Sequence, residues 1–249
     1  MRYALVTSRV TYVPGNSLTF FQKVLEERAD PIDALVIVEN MSWYITKKAF
    51  LLFLLGAWGL ASSILGNMVA SLFDERISLA RKHGVRVLHV SSPNDPRLVE
   101  YLREGKIDLV LNFRSREIVQ RDVLAVPRLG WLSIHHGILP KWRGLFCDLY
   151  DLFEGRRAGF SIHKMEADVD AGDIYVTRYV SETHEKSYTE YLKKLALPEA
   201  EEILKLVDVM EKTESLPEKI QTKSAEQYRF CKTPPPKLLR EMMKQGILI

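Results

Sequence analysis

Gly130-Trp-Leu-Ser-Ile-His-His-Gly-Ile-Leu-Pro-Lys-Trp-Arg-Gly144 is followed shortly by Ala158-Gly-Phe-Ser-Ile-His-Lys-Met-Glu-Ala-Asp-Val-Asp-Ala-Gly-Asp-Ile174. Each stretch reads as an apolar strand running into a polar loop, and each delivers one titratable group at its end, His135 and Asp170. Outward from this pair, short apolar runs recur at 3–7, 34–38, 85–90, 109–113, 131–135, 159–164 and 174–180. Several lack the polar alternation of a half-exposed strand, which suits a sheet covered on both faces. Between them, helices are expected over 17–28, 74–83 closed by Gly84, and 96–104 closed by Gly105. This rhythm predicts an α/β fold with a doubly wound, mostly parallel sheet, whose ligands sit at the carboxyl ends of the strands. Both quoted segments fall at such ends.

After residue 181 the pattern changes. Ser187-Tyr-Thr-Glu190 reads as a capping box opening one helix, Pro198 suits the first turn of a second that runs to about residue 212, and three prolines after Thr233 precede a last short helix ended by Gly246. The expected organisation is one domain over 1–212, with an apolar insertion at 47–73, and a C-terminal extension over 213–249. A chain of 249 residues can bury one good core. Its net charge of +3 is too slight to imply a nucleic-acid partner. The N-terminus has too short an apolar run for a secretory signal, and Cys147 and Cys231 have no metal-type spacing, so a reducing cytoplasm is expected.

The chemistry of such a site follows from its groups. When an acyl group moves between two nitrogens, the attacking amine loses a proton, the carbonyl oxygen becomes negative and the leaving nitrogen gains a proton. An imidazole can assist at both ends, a carboxylate can orient it, and a donor aimed at the oxyanion completes the set. His135 supplies the imidazole and Asp170 the carboxylate. Ser133 shares a face of the strand with His135 and can point a donor the same way. Taken alone, a His–Asp pair suits a structural role as well as a catalytic one; the surrounding residues favour catalysis. Alternation places His136 opposite His135, so His136 and His163 are expected as strand-end or solvent-facing residues. Asp168, Asp170 and Asp173 do not match a calcium loop, since the twelfth position is Tyr179, and no metal is expected. Cys147 is expected to pack as an apolar residue.

The two segments resemble those of the folate-dependent formyltransferases, in which Asn-x-His-x-Ser-Leu-Leu-Pro-x-x-Arg-Gly precedes Gly-x-Thr-x-x-x-Met-Asp-x-Gly-x-Asp-x-Gly-x-Ile. The similarity runs with gaps over about residues 1–212, most strongly over 108–176, and both motifs together are far more specific than either alone. The resemblance implies a Rossmann-like formyltransferase fold, with His135 and Asp170 at the positions of the catalytic histidine and aspartate, and N10-formyltetrahydrofolate as formyl donor to an amine. It places Arg116, Glu117, Ile118 and Val119 along the pteridine, largely through backbone groups, and Asp168 and Val169 beside the folate. The family's third catalytic residue is an asparagine, where this chain has Ser133; a water, or the amide of nearby Asn112, would have to replace its longer reach. His136 and Gly137 also depart from the commoner residues. Between first strand and first helix, Gly15, Asn16 and Ser17 partly match the phosphate loop of formyltransferases acting on glycinamide ribonucleotide, although ordinary helix capping by Asn16 or Ser17 explains them as well. If they bind phosphate, the acceptor is a phosphate-bearing amine such as a nucleotide-linked amino sugar. Over these 249 residues neither the N-terminal domain usual in formyltetrahydrofolate hydrolases nor the tRNA-gripping domain of the methionyl-tRNA enzymes is expected, and a small-molecule acceptor is the expectation. The alternatives are a hydrolase, and a folate-binding or membrane-associated homologue impaired by Ser133.

One segment fits none of this. Residues 49–73 carry no charge, contain Phe50-Leu-Leu-Phe-Leu-Leu55, and follow Lys47-Lys48. Their length would span a bilayer, yet a single crossing would separate strands that must pair in one sheet. Three readings stay open: peripheral contact with a membrane interface, with a lipid-linked amine as acceptor; a homodimer through this surface; or a helix packed on the protein's own core.

Overall fold

A strand with no polar alternation must be covered on both sides, and β1 (Tyr3–Ser8) is buried at every position. Its residues divide by parity. Tyr3 and Leu5 enter one apolar cluster with Phe20, Phe21 and Leu25, while Ala4 and Val6 enter another with Leu98 and Leu102 on the opposite face. The computed structural model describes residues 1–115, 117–182, 184–220 and 228–249. In chain order, β1 leads to α1 (Leu18–Arg28), β2 (Ile32–Val38), α2 (Trp43–Leu54), α3 (Trp58–Ala70), α4 (Glu75–Lys82), β3 (Arg86–Val90), α5 (Pro96–Glu104) and β4 (Leu109–Asn112). Then follow α6 (Arg121–Leu124), β5 (Trp131–His135), β6 (Trp142–Gly144), α7 (Cys147–Phe153), β7 (Gly159–Lys164), β8 (Ile174–Tyr179), α8 (Tyr188–Thr213), β9 (Arg229–Cys231) and α9 (Pro236–Lys244).

The main sheet has seven strands in the order β3-β2-β1-β4-β5-β7-β8. Strands β3 to β5 in that order are parallel, and β7 and β8 join antiparallel. The chain winds outward from β1 to β3, then returns to place β4 on the other side of β1. This reversal opens a crevice at the carboxyl ends of β1 and β4, where an open α/β sheet binds its ligands. The fold is the doubly wound one that the sequence predicts, and each of the seven expected strands forms.

Two local expectations are corrected. Residues 188–213 make one helix that runs through Pro198 rather than two. A proline removes one backbone donor, and here it falls on a turn whose neighbours Lys193, Lys194 and Leu197 face solvent, where water can satisfy the freed carbonyl. Gly105 keeps a right-handed conformation, and Lys106 (φ 47°) makes the left-handed turn after α5 instead, whereas Gly84 (φ 74°) makes it after α4 as expected. The extension beyond residue 212 adds β9, which pairs in parallel with β6 as a second, two-stranded sheet. It also adds Leu239, Met242, Ile247 and Ile249 to the main apolar cluster. The apolar insertion folds as the hairpin α2–α3. Gly59 lets α3 lie against α8 and the C-terminal segment, since a Cβ there would come within 2.8 Å of Thr189 Cγ2 and 3.0 Å of the Ile249 backbone.

Candidate active site

β5 ends at His135, and the loop after β7 folds back so that Asp170, at φ 50°, meets it. Asp170 Oδ2 lies 3.3 Å from His135 Nδ1, and Asp170 Oδ1 lies 3.4 Å from His163 Nε2. The Gly144 amide donates to Asp170 Oδ2 at 2.8 Å. Gly144 (φ 96°) can do this because it has no side chain: a Cβ there would sit 2.2 Å from the Cys231 carbonyl oxygen of the paired β9. On the other side of the ring, His135 Nε2 lies 2.9 Å from the Trp142 carbonyl, which can only accept, so Nε2 carries a proton in this bond. Burial is the largest influence on His135 and pushes its pKa below the ordinary imidazole value, against the opposing charge of Asp170. Burial works in the other direction on Asp170, but His135, His163 and the Gly144 amide outweigh it and hold the carboxyl below the usual range. The resting pair is therefore a neutral imidazole beside an ionised carboxylate.

Ser133 and Asn112 are register partners on β5 and β4. Asn112 Nδ2 donates to Ser133 Oγ at 3.3 Å and to the Ser115 carbonyl at 3.4 Å. A hydroxyl oxygen that accepts from an amide keeps its own proton to donate elsewhere. Asn112 Oδ1 and Ser115 Oγ are buried with no partner among the described residues.

Sequence reasoning missed a second polar cluster behind the first. His136 is buried, not solvent-facing: its Nδ1 lies 3.1 Å from Asp148 Oδ2 and its Nε2 2.9 Å from Glu199 Oε1. Arg114 grips both oxygens of Glu199 at 2.8 and 2.7 Å, and Tyr188 donates to Asp148 Oδ1 at 3.0 Å. Tyr12 reaches the same imidazole, its hydroxyl 3.3 Å from Nδ1. His163 is buried as well, its ring 6.2 Å from that of His135 and nearly perpendicular to it. One signal was present in the sequence: Glu199 interrupts the apolar stripe of α8, between Leu192, Leu195 and Ala196 on one side and Ile203 and Leu206 on the other.

These groups surround a cavity of about 580 Å³, of the size that small-molecule sites occupy. Asn112, Glu117, Ile118, Val119, Ser133, His135, Val169 and Asp170 line it. So do His136, His163 and Phe230 to Thr233 of the C-terminal extension, a wall that the sequence did not predict. Arg116 lies outside the described residues, and Asp168 is not among the described lining residues. The loop at 118–120 is fixed by Asn94, which donates to the Ile118 carbonyl and accepts from the Gln120 amide, both at 2.8 Å. Among the described residues no group of three His, Cys, Asp or Glu side chains could hold a metal ion.

Gly15, Asn16 and Ser17 are not among the described lining residues either. Asn16 is buried and engaged within the chain: its Oδ1 accepts from the Thr11 amide at 2.9 Å, its Nδ2 donates to the Arg9 carbonyl at 3.2 Å, and its own amide donates to Asn67 Oδ1 at 3.1 Å. Ser17 is the residue before α1, yet its side chain caps nothing.

The fold defines a class, the Rossmann-like α/β proteins with a doubly wound, mostly parallel sheet. The match to the formyl transferase family model over residues 64–207, more than half of the chain, shows that the protein belongs to that family. A methionyl-tRNA formyltransferase of Mycobacteroides abscessus is 35% identical over 119 residues, covering 47% of this chain and 39% of that protein. A bifunctional polymyxin resistance protein of Wigglesworthia glossinidia brevipalpis is 31% identical over 114 residues, 45% of this chain and 17% of its own length. The matched part thus spans less than half of either relative. Among solved structures, a phosphoribosylglycinamide formyltransferase of Anaplasma phagocytophilum superposes with a TM-score of 0.60 at 15% identity, covering 93% of this chain and 99% of that one. A sugar N-formyltransferase from a Shewanella species gives 0.58 at 14% identity, covering 92% and 77%. These two likenesses concern the fold.

Proposed function

We propose that the protein transfers a formyl group from N10-formyltetrahydrofolate to the amine of a small-molecule acceptor, with His135, Asp170 and Ser133 as catalytic residues. The observation that carries this reading is the convergence of His135 and Asp170, 35 positions apart in sequence, on one wall of a cavity in a chain of the formyl transferase family. The cavity suits a reduced pterin. Ile118, Val119 and Val169 offer apolar surface to a flat ring, and the unpartnered Asn112 Oδ1 and Ser115 Oγ offer polar atoms to its edge. The donor supplies the activated formyl carbon; the protein contributes orientation and electrostatics.

With Nε2 fixed on the Trp142 carbonyl, Nδ1 is the atom of His135 that takes the proton of the attacking amine. Burial keeps the imidazole neutral at rest, and Asp170 steadies the charge once the proton arrives. The same proton then serves the leaving nitrogen. Ser133, accepting from Asn112, turns its O–H toward the formyl oxygen as charge builds there, a shorter donor than an asparagine but one polarised from behind. The coupling to α8 through Glu199 and Arg114 holds the His136 wall of the cavity in place.

The relatives, named as a sugar N-formyltransferase, a phosphoribosylglycinamide formyltransferase and a methionyl-tRNA formyltransferase, support an amine acceptor, and a small one agrees best with a cavity of about 580 Å³. Incubating the protein with 10-formyltetrahydrofolate and a panel of nucleotide-linked amino sugars tests the proposal. Formamide formed only in the presence of an amine supports transfer. Tetrahydrofolate released without an amine indicates hydrolysis, and binding without turnover contradicts catalysis.

A further inference from the structure

Cys147 and Cys231 stand 84 positions apart in the chain, and neither takes part in the proposed transfer. Both are buried, and both belong to the main apolar cluster. The fold sets them side by side. β6 and β9 pair in parallel with Gly144 opposite Cys231, and the Leu145 amide donates to the Cys231 carbonyl at 2.9 Å. Phe146, at φ 58°, then turns the chain into α7, which opens at Cys147. From the next turn of α7 the Tyr150 hydroxyl donates to the Lys232 carbonyl at 3.1 Å. The two segments are thus pinned together on either side of the pair, and between the pins the Cys147 thiol donates to the Cys231 sulfur. From this juxtaposition we infer that Cys147 and Cys231 form a reversible disulfide when a peroxide enters the cavity, and that the bond straps the C-terminal wall of the cavity to α7.

The two thiols are not equivalent. Cys231 lines the cavity, and Cys147 is not among its described lining residues. A small oxidant in the cavity therefore meets Cys231. That thiol is also the more acidic of the two. The hydrogen bond from Cys147, together with the Arg229 guanidinium, holds it below the ordinary thiol range against the effect of burial, whereas the same hydrogen bond and burial push Cys147 up. The thiolate is the form that attacks. The Cys231 thiolate displaces hydroxide from the O–O bond of hydrogen peroxide and becomes a sulfenic acid; the hydroxide takes up the proton that the thiol had released. The Cys147 sulfur then attacks the Cys231 sulfur, the S–O bond breaks, and the departing hydroxide leaves as water with the Cys147 proton. Two thiols and one peroxide become one disulfide and two waters. A dithiol reverses the bond by exchange.

In the reduced protein the wall rests on the short β6–β9 pairing and on Arg229, whose guanidinium lies over the rings of Trp142 and Tyr150. The disulfide adds a covalent link at the strand that faces Gly144, and the Gly144 amide is the group that holds Asp170 Oδ2. The redox state of the pair is thereby carried to the catalytic carboxylate. The inference concerns the protein's thiols and does not depend on the transfer chemistry.

Intact-mass spectrometry of the full chain, after exposure to a small excess of hydrogen peroxide, tests it. The mass is expected to fall by about 2 Da as two hydrogens leave and to return with dithiothreitol, and a non-reduced digest should yield the Cys147 and Cys231 peptides joined. The thermal midpoint of the oxidised protein should rise by about 5 °C or more, because the strap closes a long loop. Cys147→Ser should stop the reaction at the Cys231 sulfenic acid, trapped by dimedone, and Cys231→Ser should leave Cys147 unmodified. Three results overturn the inference: both thiols still open to alkylation once the treated protein is unfolded, oxidation of either to sulfinic acid without a disulfide, or a disulfide that joins two chains.

Discussion

The cavity wall and the hairpin depart from the cheapest arrangement in opposite directions. At the wall, Arg114, Glu199, His136, Asp148, His135 and Asp170 are removed from most or all solvent, where apolar residues of similar volume would fold as well or better. On the hairpin, tryptophan, tyrosine and phenylalanine are left in water although burying them would add stability. Most of the remaining structure obeys the ordinary rule, with strands buried on both faces and helices packed by one stripe. Departures concentrated at two places, each with its own chemistry, mark where function is set against stability.

The comparison breaks first at the catalytic pair. His135→Ala and Asp170→Asn are each expected to lower turnover by about 10²–10⁴ while leaving the protein folded; variants within a few-fold of the native rate would place the chemistry elsewhere. The pH dependence separates their roles. Since burial lowers proton affinity at His135, the native rate should hold down to the ordinary imidazole value of 6.5 and fall in more acid solution. Asp170 raises that affinity, so Asp170→Asn should move the acid limb further down, not up. The folded state binds fewer protons at both groups than the unfolded chain does. Their contribution to stability is therefore complete above the imidazole range and declines as the pH falls through it and then through the carboxylate range.

Next in size is Glu199→Leu. It leaves the Arg114 guanidinium and one face of His136 buried without their partner and should cost about 3–5 kcal/mol in urea unfolding. An unchanged or raised midpoint would show that the network is replaceable by apolar packing, and the contrast with the hairpin would lose one side. Ser133→Asn should change turnover by less than about tenfold and is expected to preserve or raise it, since it restores the longer donor. A collapse would show a site rebuilt around the hydroxyl and Asn112. The smallest effect belongs to the hairpin surface, where Phe50→Ser alone should alter unfolding stability by no more than about 0.5 kcal/mol. A larger loss would mean that this side chain already has a partner within the protein.

The sheet was legible because its strands are long apolar runs, and periodicity reads burial directly. The end of β5 and the loop after β7 were legible because His135 and Asp170 each follow such a run. What local pattern could not supply was pairing at a distance. β6 and β9 are three residues each, too short for an apolar period, and their contact depends on Gly144 meeting Cys231 across 87 positions. His136 and His163 were read from strand alternation alone, which says which face a residue takes but not that α7 and α8 bring carboxylates to cover it. Proline at 198 was read as a helix start from its usual preference, and the packing of the α8 stripe overrode it. The hydrogen bonds of Asn16 to Thr11, Arg9 and the inserted α3 are likewise contacts that no local pattern announces.

The central claim is that the His135–Asp170 cavity receives a reduced pterin. A crystal structure with 5-formyltetrahydrofolate, a stable relative of the donor, measures this most directly. The account predicts the pterin ring between the backbone of residues 117–119 and Val169, with N10 pointing toward His135 and Ser133. Electron density for the ligand elsewhere on the protein, or none at saturating concentration with the cavity closed by Phe230 and its neighbours, would contradict it.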